Sequence, residues 1–273
     1  MTIRQMLVLA FVSVLWPLPA HALQIGGEEN GGSFSEIYQD GYYLRLENDQ
    51  LMFRYRKGKC LMASEQGDVY VEDSCAKIAD QFSEAISQKM AAMEQQYGVE
   101  MSAEGAKLRK MMQDHEGETE LNEVGSDEVA GYNSTIFLAG SSKYWISPEL
   151  LSQIKKEIDY SQFLKAQQQF ESAFSKFESM GVGQDKTGLI RKNLEKKGYL
   201  MKKTDAASVP GMNPIIMGML PPEKRKEIMA QMGEGPVVLE INSVNTGSVD
   251  IENIRPSGSK VTIAGYLEVM FRR

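Results

Sequence analysis

The sequence predicts an α+β fold with one antiparallel sheet and two helical insertions. Short segments of alternating apolar and polar residues, separated by turn residues, recur early in the chain, in its middle and at its end. This period of two is typical of half-buried strands. Between them, apolar residues recur every three or four positions over longer segments, which is typical of amphipathic helices. Because short turns join neighbouring strands, we expect antiparallel pairing.

The pattern of residues 1–22 predicts a secretory signal peptide. Arg4 precedes an apolar run from Met6 to Trp16, and residues 20–22, Ala-His-Ala, have the small-x-small pattern of a cleavage site. We expect cleavage after residue 22, export to the periplasm of a Gram-negative bacterium, and a single domain over residues 23–273.

The charge and hydropathy of the remaining chain argue against nucleic acid as a partner and against a membrane span. The full sequence has a net charge of −7, which becomes −8 without Arg4, and it lacks a basic patch. No stretch after the signal peptide approaches the roughly 20 apolar residues of a membrane span. We therefore expect a chain that does not span a membrane after cleavage.

The first part of the expected domain predicts a lead-in followed by a four-stranded meander. Residues 23–35 are polar and rich in glycine, which favours an extended or flexible start. Residues 42–47, 51–56, 60–63 and 68–72 alternate apolar and polar side chains between turn residues.

Cys60 and Cys75 predict a disulfide bond. An even number of cysteines in an oxidising compartment favours pairing. Closing a loop of about 15 residues contributes roughly 3 kcal/mol to stability through the unfolded state. Two separate buried thiols are the alternative, and metal binding is disfavoured because no histidine lies near the pair.

Two helical insertions are predicted, at about residues 76–113 and 148–197. The first carries an apolar stripe that steps by three or four from Ile78 to Tyr97, and a second helical piece at about 102–113. Ser147, Pro148 and Glu149 mark the start of the second insertion, as N-cap, first helical residue and favourable N-terminal charge.

The strands of the middle and the end complete the expected sheet. Residues 119–124 predict a strand with a turn at 125–127, and residues 132–139 and 143–146 predict a hairpin. Residues 199–203 favour a further strand. The alternation at 237–241, 249–251 and 261–263 predicts that the chain ends in antiparallel strands.

Several of these segments resemble a known family. They are Gly131-Tyr132 at the start of a strand, Tyr144-Trp145-Ile146-Ser147-Pro148-Glu149-Leu150 at a strand-to-helix joint, and Gly265-Tyr266 near the end. Together they resemble the periplasmic DUF4412 family, which is similar to the LolA-type lipoprotein carrier fold. The resemblance implies a strongly curved antiparallel sheet, an incomplete barrel, with helices packed across its concave side.

No pattern in the sequence favours catalysis. After the predicted cleavage His115 is the single histidine, and it lies in an acidic loop without an evident partner. Residues 181–188, GVGQDKTG, do not match the phosphate-binding pattern G-x-x-x-x-G-K-[ST]. We therefore predict a non-enzymatic protein without a cofactor.

Three hypotheses of function remain. The first is a periplasmic binding or carrier protein for a hydrophobic ligand such as a lipid, an acyl chain or a hydrophobic polypeptide segment. The second is an interaction or assembly protein whose helices dock on an envelope protein. The third is copper handling through some of the 17 methionines, although such residues also serve as adaptable packing. The candidate copper ligands are Met90, Met93, Met111, Met112, Met212, Met217 and Met219. For the first hypothesis, the expected ligand contacts are Phe53, Phe82, Met90, Met93, Phe137, Tyr144 and Trp145.

Overall fold

The computed structural model describes residues 21–97, 121–139, 142–178, 186–205 and 236–271. Its strands are β1 (Ala22–Glu29), β2 (Gly32–Gln39), β3 (Tyr42–Glu47), β4 (Gln50–Arg56), β5 (Lys59–Ala63), β6 (Val69–Ser74), β7 (Asn122–Val129), β8 (Tyr132–Ala139), β9 (Ser142–Ser147), β10 (Tyr199–Thr204), β11 (Val237–Gly247) and β12 (Ser259–Lys260). Its α-helices are α1 (Cys75–Tyr97), α2 (Pro148–Glu157), α3 (Tyr160–Glu178), α4 (Lys186–Glu195) and α5 (Ile263–Phe271).

All the strands belong to one open sheet. Their order is β12-β6-β5-β4-β3-β2-β1-β11-β10-β9-β8-β7, so β12 and β7 are the two edges. Neighbouring strands pair antiparallel, except that β12 pairs parallel with β6. The predicted α+β class is confirmed, and the sheet is corrected from antiparallel to mixed.

The glycine-rich segment 23–35 is not a lead-in but the centre of the sheet. It contains most of β1 and the start of β2, and β1 pairs with both β2 and β11. A β-bulge interrupts the β1–β11 pairing between Gly26 and Gly27. A Cβ added at Gly27 would lie 2.5 Å from the Glu240 carbonyl oxygen, so glycine serves close backbone approach. Ala22 begins β1 and is buried, so the predicted cleavage would remove one residue of this strand.

Of the predicted strands at the end of the chain, 237–241 is confirmed as part of β11, but 249–251 and 261–263 are wrong. Ile251 lies in a short 3-10 helix, Ile251–Asn253, and Ile263 begins α5. Short apolar alternation does not distinguish a strand from a helix that buries only a few residues. In α5 the buried residues Ile263, Tyr266 and Leu267 have the spacing of one helical face.

The predicted range of the edge strand β7, residues 119–124, is also wrong. The strand includes the predicted turn at 125–127, and the chain turns instead at Ala130 and Gly131, which have φ values of 50° and 82°. Residues 122–128 are exposed, so this strand lacks the apolar alternation that marks a buried face. In contrast, the predicted strand 132–139 coincides with β8.

The helix starts follow the sequence, but the second insertion is interrupted. The Ser147 hydroxyl accepts a hydrogen bond from the Leu150 amide at 3.3 Å, as expected of the N-cap. The helix then ends at Ile158, which is extended with φ −134° and ψ 156°. Asp159 begins α3 by accepting a hydrogen bond from the Gln162 amide at 3.1 Å. The predicted helical piece at 102–113 lies outside the described residues.

Helices lie on both faces of the sheet. Along β9, Trp145 belongs to the main core with residues of α1, α2, α3 and α5, whereas Tyr144 and Ile146 pack with Ile190 and Leu194 of α4. Successive side chains of a strand point to opposite faces. We call the face that carries the main core the helix-covered face. The opposite face has two smaller clusters, one beneath α4 and one beside the 3-10 helix.

The predicted disulfide is confirmed. Cys60 of β5 and Cys75, the first residue of α1, are bonded, with their Cα atoms 4.9 Å apart. Both residues are buried in the main core. The bond therefore attaches the start of α1 to the helix-covered face. None of the helices in the described ranges combines the length and the apolar content needed to cross a membrane.

Candidate functional site

Aromatic side chains dominate one part of the helix-covered face. Tyr43 and Tyr55 place their ring centroids 4.7 Å and 5.3 Å from that of Phe163 on α3. The Phe53 ring meets Phe170 of the same helix edge to face at 6.2 Å. We call these five residues the aromatic row. Such offset and edge-to-face contacts are favourable arrangements, so α3 is held on the sheet largely by apolar and aromatic contact.

The predicted ligand contacts divide between the two faces. Phe53, Phe82 and Trp145 belong to or pack against the main core, and the Phe82 ring lies 5.8 Å from that of Tyr266 on α5. Phe137 and Tyr144 are buried beneath α4 on the opposite face. The division follows from strand geometry, because adjacent residues such as Tyr144 and Trp145 cannot point to the same side. Met90 and Met93 lie in α1, and their side chains are outside the described part.

Trp145 is buried beside a lysine. Its side chain is 1% exposed, and Lys202, its partner on β10, places Nζ 5.3 Å from the indole ring centroid. The same ammonium group lies 3.1 Å from Glu240 Oε1 on β11. The indole nitrogen Nε1 has no hydrogen-bond partner among the residues that the structure describes. This lone donor contrasts with the expectation that buried polar atoms are paired.

A buried carboxylate, Glu36, lies on the same face with many partners. The hydroxyls of Tyr38 and Tyr199 donate to its Oε2 at 2.6 Å and 2.7 Å. The Tyr43 hydroxyl donates to Oε1 at 2.9 Å, and Arg45 donates to the same oxygen from Nη1 at 3.3 Å. We call these five residues the Glu36 cluster. Its carboxylate is saturated with donors, which is the usual way to bury a charged group.

The phenols of the Glu36 cluster are held in their protonated form. Burial raises the pKa of Tyr38, Tyr43 and Tyr199 well above the usual value, and the negative charge of Glu36 raises each pKa further. A protonated phenol is a donor and the ionised carboxylate is an acceptor. The cluster is thus a stable set of donors around one acceptor at neutral pH.

The Glu36 cluster also joins strands that are not neighbours. Glu36 is on β2 and Tyr199 on β10, with β1 and β11 between them. Three strand spacings of about 4.8 Å separate these strands along the sheet. The two long side chains reach across this distance on the helix-covered face and meet at 2.7 Å. The cluster therefore links β2 to β10 directly.

Arg45 forms the more exposed end of the cluster. It also pairs with Glu29 and with Glu47, and its guanidinium lies 4.5 Å from the centroid of the Phe34 ring. Sequence reasoning missed this group of residues. The available signal was that Phe34, Glu36 and Tyr38 occupy every second position, so that a charged residue shares a strand face with two aromatic residues. This signal can be used only if residues 32–39 are recognised as a strand.

The described residues offer little for metal or catalytic chemistry. No group of three or more His, Cys, Asp or Glu side chains in these ranges is placed to hold a metal ion. His115, and the methionines at 111–112 and 212–219 considered for copper, lie outside them. A shallow groove of about 780 Å³ runs between α1 and α5. Its lining is mixed and includes Glu84 and Glu268 as well as Ala85 and Leu267.

Comparison with known proteins identifies no family for this chain. No family model and no curated protein matches it. Among solved structures, one of PNGF-II in a C2 crystal form aligns at 7% sequence identity, with a TM-score of 0.33. The alignment covers 93% of this chain and 33% of that one, so the chain spans about a third of that protein's length. The similarity is too low to support an argument about fold or function.

Proposed function

We propose that the protein is a non-enzymatic binding or carrier protein for a hydrophobic ligand, a lipid or an acyl chain. The observation that carries the proposal is the helix-covered face, which the aromatic row lines and α3 covers. Sites for small molecules are mostly apolar and contain a few polar groups. Trp145, whose indole nitrogen has no partner among the described residues, supplies such a polar group here.

The cover is built so that a ligand can replace it. The extended backbone of Ile158 separates α3 from α2, and Asp159 gives α3 its own N-cap. A movement of α3 about this joint would uncover the sheet without unfolding α2. An acyl chain entering there would take the space of Phe163 and Phe170 and replace one set of apolar contacts with another, so the net cost is small.

Two further points support a carrier in the periplasm. The disulfide between Cys60 and Cys75 suits an oxidising compartment, in agreement with the predicted signal peptide. The resemblance to the DUF4412 family and the LolA-type carriers implies an incomplete barrel with helices across its concave side. The open sheet and the position of α1, α2, α3 and α5 agree with that arrangement.

The first experiment is to purify the mature protein from its native periplasm and measure its intact mass under native conditions, followed by solvent extraction. Bound lipid supports the proposal. A protein bound in fixed stoichiometry supports instead the interaction hypothesis, and a copper adduct supports copper handling. A ligand-free monomer that also takes up no apolar fluorophore, such as N-phenyl-1-naphthylamine, overturns the carrier function.

Matched phenylalanine substitutions test the role of α3 as the cover. Phe163→Leu and Phe170→Leu weaken the contact between α3 and the sheet, so the open form becomes more populated. We expect the apparent affinity for N-phenyl-1-naphthylamine to rise about threefold to tenfold. Phe137→Leu makes the same chemical change on the opposite face, beneath α4, and should leave the affinity unchanged. Equal effects on both faces would contradict a site beneath α3.

A further inference from the structure

Among the buried side-chain nitrogen and oxygen atoms of the described residues, Trp145 Nε1 is the one without a hydrogen-bond partner. Burying an indole N–H without an acceptor costs free energy, and exceptions of this kind call for an explanation. The other buried polar side chain central to this face, Glu36, has all its positions filled. The face therefore contains one buried hydrogen-bond donor for which the described chain supplies no acceptor.

The surroundings of Trp145 define the kind of acceptor that fits. Ile136 lies directly opposite on β8, and Met201 on β10 is fully buried, so much of the environment is apolar. Lys202 is near the indole ring, but its charge is already balanced by Glu240 at 3.1 Å. A free carboxylate would have to compete with Glu240 for the ammonium group and lose its own hydration. A neutral carbonyl oxygen accepts a hydrogen bond without that cost.

We propose that the ligand of the helix-covered face is an acyl ester whose carbonyl oxygen accepts a hydrogen bond from Trp145 Nε1. This inference rests on the proposed carrier function and adds the chemical class of the ligand. The ester carbonyl lies at the indole, in the part of the sheet that α2 covers, and the hydrocarbon chain extends from there along the helix-covered face toward α3. The binding site thus distinguishes an acyl ester from a plain hydrocarbon of equal length, and from the free acid.

The test compares three competitors of equal chain length against N-phenyl-1-naphthylamine bound to the mature protein. They are methyl palmitate, palmitic acid and hexadecane. We expect the ester to bind about fivefold to tenfold more tightly than the alkane, which is the effect of one hydrogen bond. Trp145→Phe keeps an aromatic ring and removes the N–H, so the preference should disappear. Tyr42→Phe removes a phenol donor on the opposite face and should keep the preference.

A second measurement needs no variant. Of the two tryptophans, Trp16 lies in the predicted signal peptide, so the mature chain has one indole N–H. Its proton resonance in a nitrogen-15-labelled sample should move downfield when methyl palmitate is added and should not do so with hexadecane. This readout remains available if Trp145→Phe fails to fold.

The outcomes separate the two proposals. If neither the fluorophore nor any competitor binds, the carrier function itself fails. If the fluorophore and hexadecane bind and the ester shows no advantage and no indole shift, the carrier function stands and the ester inference is overturned. A preference for palmitic acid over the ester also overturns it, because a carboxylate would then be the ligand group.

Discussion

Glu36 and Trp145 are both buried on the helix-covered face, yet their surroundings are opposite. Three phenols and one guanidinium converge on the Glu36 carboxylate. Trp145 Nε1 has no acceptor within the described parts of the chain. A saturated polar group holds distant strands together and has no capacity left for a ligand, whereas an unsatisfied donor retains that capacity. Glu36 therefore has a structural role, and Trp145 Nε1 is the atom at which we propose that the ligand binds.

Removing the Glu36 carboxylate should have the largest effect on stability. Glu36→Ala leaves three buried phenols without their acceptor and removes one of the three carboxylates that pair with Arg45. We therefore expect a loss of roughly 3–5 kcal/mol in the free energy of unfolding. Urea denaturation with the disulfide intact measures it. Glu47→Gln is the control, because Glu47 is a more exposed partner of Arg45 and its loss should cost less than about 1 kcal/mol. A loss below about 1 kcal/mol for Glu36→Ala would show that the cluster does not stabilise the fold.

Trp145→Phe should cost less, since no hydrogen bond is lost. The smaller ring gives up some apolar contact, for which we expect about 1–2 kcal/mol by urea denaturation. Trp145→Ala deletes the buried ring and should cost roughly 3–5 kcal/mol. If the phenylalanine variant is as unstable as the alanine variant, the indole N–H has a partner within the fold and the contrast with Glu36 is lost.

Tyr199→Phe should have a smaller effect than Glu36→Ala, because it removes one donor and leaves the acceptor satisfied. Glu36 Oε2 keeps its bond to Tyr38 at 2.6 Å. We expect a loss of about 1 kcal/mol, together with faster amide hydrogen exchange in β10. Tyr132→Phe, which removes a hydroxyl bonded to the uncharged Gln153, is the matched control for exchange in β10. Unchanged exchange in β10 would mean that this bond does not stabilise β10 against local opening.

The pH dependence of stability tests the Glu36 cluster through the smallest of the expected effects. Burial and the charge of Glu36 raise the pKa of Tyr38, Tyr43 and Tyr199 in the folded state above the unfolded value of about 10. Below that pH both states are protonated and the contribution is complete. Above it the unfolded state ionises first, so stability falls as the pH rises toward the folded pKa values.

Urea denaturation between about pH 8 and pH 11 measures this loss. Tyr199→Phe should make the decline shallower, because one titrating group is removed. An identical decline in the variant would show that the cluster does not cause it.

Local sequence determined a large part of the fold. The meander β3 to β6, the strand β8, the N-cap Ser147 and the stripe of α1 depend on neighbouring residues, whose periodicity and turn chemistry can be seen directly. The disulfide followed from two cysteines and an oxidising compartment. The break at Ile158 was missed because further apolar residues follow it, although the step from Ile158 to Phe163 is five residues and not the three or four of a helical face.

The tertiary structure alone decided where these elements meet. The glycine-rich β1 became the centre of the sheet through pairing with β11, more than 200 positions away in sequence. The Tyr199–Glu36 bond joins residues 163 positions apart, and no local pattern indicates it. Whether a buried polar atom is satisfied depends on such distant neighbours. For this reason the sequence identified Trp145 as an aromatic residue at a strand-to-helix joint, and only the packed structure showed that its indole nitrogen lacks a partner in the described chain.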